Sequence, residues 1–110
     1  MSEQSPNPEQ ARIAALNDEF RRNGPNGDWI VTTSILARSD FPALVKAVQD
    51  FDAFTPDNDP WGEHDFGEIK WQNELTMWKI DYYNQDLTGG EPPLSPECRR
   101  ILTILLASEY

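Results

Sequence analysis

Three stretches of the chain carry apolar residues at helical spacing, and three others alternate in the manner of strands. Ile13, Leu16 and Phe20 fall on one helix face, with Ala14 and Ala15 beside them. Asn7 is placed to cap that helix, Pro8 suits its first position, and Glu9 lies at its positive dipole end. Arg21 and Arg22 fill the last turn before Asn23-Gly24-Pro25 stops it. A second helix enters through Pro42 with Ser39 or Asp40 as its cap and carries Leu44, Val45, Val48 and Phe51. Ser95-Pro96-Glu97 repeats the pattern of cap, proline and acid. It predicts a final helix bearing Cys98, Ile101, Leu102, Leu105 and Leu106.

Between these helices, Trp29 to Leu36 is β-branched and aromatic with period-two alternation, which predicts a strand. Phe66 to Trp71 and Leu75 to Tyr83 predict a hairpin closed at Gln72-Asn73-Glu74, with Ile69 and Trp71 on one face and Trp78, Ile80 and Tyr82 likewise sharing one. The expected order is α-β-α-β-β-α: an α+β domain with a small, largely antiparallel sheet of about three strands and helices over one face. Residues 1–6 are expected to form a flexible tail, and 7–110 one domain, since 110 residues leave no room for two ordinary cores.

Charge narrows the partners. With 19 acids against 9 bases the net charge is −10, which disfavours direct contact with nucleic acid or anionic membrane and favours basic protein surfaces. The plainer account of such a charge is solubility. No apolar run reaches the length of a membrane span and the N-terminus has no signal-peptide pattern, so a cytoplasmic protein is expected. One cysteine, Cys98, allows no internal disulfide, and with His64 it makes no zinc ligand set.

The acids concentrate in one place. Between Lys46 and Lys70 lie seven (Asp50, Asp52, Asp57, Asp59, Glu63, Asp65, Glu68) with no Lys or Arg among them. Such a run repels itself and calls for backbone donors, a cation or a basic partner. Counted from Asp57, the residues Asp59, Gly62, Glu63, Asp65 and Glu68 follow the order of an EF-hand loop, which would make Ca²⁺ or Mg²⁺ the cation taken. Trp61 at the fifth, ligand-bearing position and flanks without two helices oppose that match. His64 is the one candidate general base, but no nucleophile motif or phosphate loop accompanies it, so neither catalytic residues nor a cofactor are assigned. Turn-capping by Asp57, Asn58 and Asp59 explains much of the loop without any ligand. Trp61 and Phe66 among carboxylates also make an aromatic anchor suited to an Arg- or Lys-rich partner. The candidate binding residues are therefore Asp57, Asp59, Trp61, Glu63, His64, Asp65 and Glu68.

Phe51 to Thr55, Asn58 to Gly67, Trp78 to Tyr83 and the ending Arg100 to Tyr110 together resemble the bacterial domain-of-unknown-function family 3768. The resemblance implies no activity, catalytic residue or cofactor. The function expected from the residues is a non-enzymatic interaction protein whose acidic face meets a basic protein surface. One form of it is a nucleic-acid mimic that inhibits a restriction or CRISPR-type complex. The alternative is a divalent-metal domain built on Asp57–Glu68.

Overall fold

The computed structural model describes residues 7–110, so the tail expected over residues 1–6 lies outside the described residues. Helix α1 runs Pro8–Asn23, with the Glu9 N–H donating to Asn7 Oδ1 at 2.8 Å as the cap requires. Its buried face keeps part of the expected one, with Ile13 and Ala14 buried and Phe20 packed against the core. Ile13, Ala14, Asn17 and Arg21 point inward while Leu16 is exposed, so the helix docks with a stripe that is polar in its second half. The reason is downstream: partners for Asn17 wait on the sheet and at Glu63, and those for Arg21 at the carbonyls of Val48 and Gln49.

The Trp29 run forms a strand only over Trp29–Val31 (β1) and then coils into a single helical turn, Thr33–Leu36 (α2). Thr32 Oγ1 and Ser34 Oγ donate to the two carboxylate oxygens of Glu109 at 2.9 and 2.6 Å. That chelation draws the hydroxyl residues out of the pleat and drops Ile35 into the core, where it is fully buried. Helix α3, Phe41–Gln49, starts where Asp40 marks it. Asp40 has φ +65° and its side chain makes no capping bond, so the boundary was legible but the expected cap is not the device that sets it.

The hairpin is Phe66–Trp71 (β2) and Glu74–Tyr83 (β3), joined by the two residues Gln72 and Asn73 at φ +52° and +65°. Both central residues are left-handed, which matches the twist of the strands without a glycine. Glu74 belongs to the strand rather than the turn, and its carboxylate pairs with Arg38 at 2.7 Å.

The predicted C-terminal helix is instead a strand, Arg99–Leu106 (β4), ending in a 3-10 turn at Ala107–Glu109. The Ser95 cap forms, with Glu97 N–H donating to Ser95 Oγ at 3.1 Å, yet it closes only a turn. Ile101, Thr103 and Ile104 favour a strand, and the near-continuous apolar run reads as one buried on both faces. The sheet thus has four strands, not three, in the order β1-β4-β3-β2. β2, β3 and β4 are antiparallel neighbours, while β1 joins β4 in parallel. The α+β class and the helices over one face stand as expected.

Register sorts the side chains onto two faces. Trp71, Trp78, Ile80, Leu102, Ile104 and Leu106 pack with Ile35, Leu44 and Val48 in the core beneath the helices. Gly67 lies opposite Trp78 across β2–β3 because a Cβ there would come within 2.4 Å of Trp78 Nε1. The other face carries Met77, Ile101, Thr103 and Leu105, with Ile30 52% and Leu75 47% exposed.

Candidate functional site

The segment from Phe51 to Asp65 links α3 to the hairpin and wraps back over α1. It is folded by its own short side chains. Asn58 Oδ1 accepts from Thr55 N–H at 2.8 Å, Thr55 Oγ1 accepts from Asn58 N–H at 3.3 Å, and Asn58 Nδ2 donates to the Ala53 carbonyl at 2.9 Å. Asp59 is buried, and its carboxylate accepts from the N–H groups of Glu63 at 3.2 Å and His64 at 3.3 Å. Gly62 and His64 both stand at positive φ, +66° and +57°, so the chain reverses tightly around that carboxylate. A non-glycine residue in this conformation persists only where its surroundings hold it.

His64 is held on three sides. Its ring stacks on Phe54 with centroids 3.9 Å apart and planes within 3°. Nδ1 lies 3.0 Å from Asp18 Oδ2, and a carboxylate that can only accept makes Nδ1 the protonated nitrogen. Nε2 sits 3.8 Å from Asp59 Oδ2. Asp18 in turn accepts from Arg21 Nη2 at 2.7 Å. Arg21 is fully buried and lies over the Trp78 and Phe54 rings at 4.9 and 5.7 Å. Burial pulls its basicity down despite Asp18.

A second polar group lies one turn earlier on α1. Asn17, fully buried, donates through Nδ2 to the Glu63 carbonyl at 3.0 Å and to Tyr82 Oη at 2.9 Å, and accepts from Arg100 Nε at 2.6 Å. Burial pushes the Tyr82 hydroxyl well above its usual range. Asp65 and Glu63 are both raised above the ordinary carboxylate range, burial being the main cause and their acidic neighbours the next.

The seven expected site residues therefore part company. Asp59 turns inward as a cap, His64 is clamped to α1, and Glu63 and Asp65 are half-buried beside Asn17 and Tyr82. Asp57 is exposed at the loop surface, and Glu68 is exposed on β2, outside the loop. Among the described residues no group of three or more His, Cys, Asp or Glu side chains is placed to hold a metal ion. Trp61 does not tuck under the sheet: it is 69% exposed. It stands between two clefts of about 380 and 340 Å³, the first floored by Ala11, Ala14 and Asp18 of α1, the second by Phe54, Thr55 and Asp59. His64 lines both clefts.

Asn17, Asp18, Arg21 and Arg100 were missed from sequence. The available signal was the four-residue step from Ile13 to Asn17 to Arg21, which places two polar residues on the face of a core residue. Cys98, expected inside a helix on its apolar face, is half-buried just before β4, with Arg100 Nη1 3.7 Å from its sulfur. Burial pushes its thiol up from the usual range.

These features define a small α+β domain that presents an exposed tryptophan on an acidic loop pinned to a helix. Residues 31–109 match the family described as "Protein of unknown function (DUF3768)", and the chain belongs to that family. No curated protein and no solved structure matches it. Among the described residues no helix is long and apolar enough to cross a membrane.

Proposed function

We propose that the protein is an acidic interaction module whose Trp61 loop engages a basic protein surface. The exposure of Trp61 carries this reading. An indole on a mobile loop would lose much of its contact energy to ordering, but this loop is already fixed by Asp59, His64 and α1. The indole face suits a guanidinium or ammonium group, and the exposed Asp57 with the net charge of −10 draws such groups in. A groove that ordinarily holds nucleic acid is one surface of this chemistry, and a mimic of its ligand is the more specific form of the proposal.

Immobilised protein should retain basic or nucleic-acid-binding proteins at low and moderate salt. The Trp61→Ala variant, unchanged in melting temperature, should hold them roughly tenfold less tightly. Retention of no basic protein, or equal retention by Trp61→Ala, refutes the proposal.

A further inference from the structure

Strand β2 is an outer strand of the sheet, and its second edge is open. The two-residue turn makes Trp71 and Glu74 the closing pair, so Gly67, Ile69 and Trp71 direct their backbone groups to β3. The Ile80 N–H donating to the Asp65 carbonyl continues the same alternation. The N–H and C=O of Phe66, Glu68 and Lys70 consequently face outward, and no hydrogen bond among the described residues reaches them. The opposite edge, β1, is only three residues long.

We propose that β2 pairs antiparallel with β2 of a second copy about a two-fold axis at Ile69, joining two four-stranded sheets edge to edge. Charge selects both the occupant and the register. Glu68 and Lys70 are exposed, share the helix-free face, and enter no ion pair among the described residues. Outward-facing residues must oppose one another, so allowed registers differ by steps of two. Centring on Glu68 or on Lys70 sets like charges face to face. Centring on Gly67 places Glu68 against Phe66 and leaves both charges unmatched. Centring on Ile69 places Glu68 opposite Lys70 of the second copy, and symmetry makes that pair twice. Ile69 then meets its own copy on the helix-covered face.

An edge guarded against pairing would carry one sign of charge or a proline. Two opposite signs, two residues apart, are self-complementary instead. On the helix-free face Lys70, Lys79 and Arg99 offset Glu68, Asp81 and Asp28, and two of these pairs, Lys79–Asp81 and Arg99–Asp28, are in contact. The acidity that repels copies elsewhere is absent there. The assembly would carry two acidic loops, each ending where β2 begins.

Sedimentation equilibrium of the full chain tests this with Glu68→Lys, Lys70→Glu and the double exchange, each checked for unchanged circular dichroism and melting. Wild type and the double exchange should dimerise, and each single variant should weaken the dimer by roughly tenfold, since two attractive pairs become repulsive. If net charge alone governed association, Glu68→Lys would tighten the dimer and Lys70→Glu loosen it; the proposal requires both to loosen it. A monomeric wild type, a dimer indifferent to the single variants, or a folded double exchange that stays monomeric overturns it.

Discussion

Replacing Asn17 with leucine, which has the same number of side-chain heavy atoms, removes three hydrogen bonds, and the loss can be worked out bond by bond. The two neutral bonds from Nδ2, to the Glu63 carbonyl and to Tyr82 Oη, are worth about 1 kcal/mol each. The bond from the Arg100 guanidinium is charge-assisted and worth about 2 kcal/mol. Arg100 keeps the Pro93 carbonyl at 2.8 Å, which limits the cost of stranding it. Glu63 keeps no such substitute for its carbonyl among the described residues. The added apolar surface returns about 1 kcal/mol. The expected net loss is about 3 kcal/mol, read from urea unfolding curves with an unchanged slope. A cycle with Tyr82→Phe should show coupling of about 1 kcal/mol, because both variants delete the same bond. A loss under about 1 kcal/mol, or strict additivity, would refute the claim that the Asn17 network anchors the loop to α1 and the sheet.

Gly67→Ala should cost about 2 kcal/mol or more, seen as a lower melting temperature, because the new methyl meets Trp78 Nε1 and Phe51 at 2.4 and 2.9 Å; a loss below about 0.5 kcal/mol would contradict that packing. Asp65 and Glu63 bind their protons more tightly folded than unfolded, so their contribution is fully present below the ordinary carboxylate range. It is lost as pH rises through their raised values. Asp65→Asn, which keeps the shape and removes the charge, should therefore raise the melting temperature at neutral pH and lose that advantage in acid.

Local signals were the legible ones. Asn7, Pro8 and Glu9 start α1 as their chemistry dictates, and Phe66–Tyr83 alternates clearly enough to place a hairpin. What failed depended on distant partners. Thr32 and Ser34 leave the strand only because Glu109, at the far end of the chain, binds both hydroxyls. Arg99–Leu106 fits helical spacing as well as a two-face strand, and its place between β1 and β3 decides the matter. On α1, Ile13, Ala14 and Phe20 turn inward as their spacing predicts, but Asn17 takes the place expected of Leu16 because Arg100 and Tyr82 need the asparagine. The acidic loop was located correctly. Which acids turn inward was set by backbone N–H groups that no spacing rule reveals.

The match to the family begins at residue 31, whereas every α1 side chain that grips the loop comes before it. The tryptophan-bearing loop thus lies within the matched residues and the α1 side chains that clamp it lie outside them. Strands β2, β3 and β4, helix α3 and the loop lie within residues 31–109, while α1 and most of β1 precede them. Because Asn17 bonds Tyr82 and Arg100 while Asp18 bonds His64, α1 ties the presentation of Trp61 to the integrity of β3 and β4. A change in that helix is therefore felt by the loop and by the strands beneath it together.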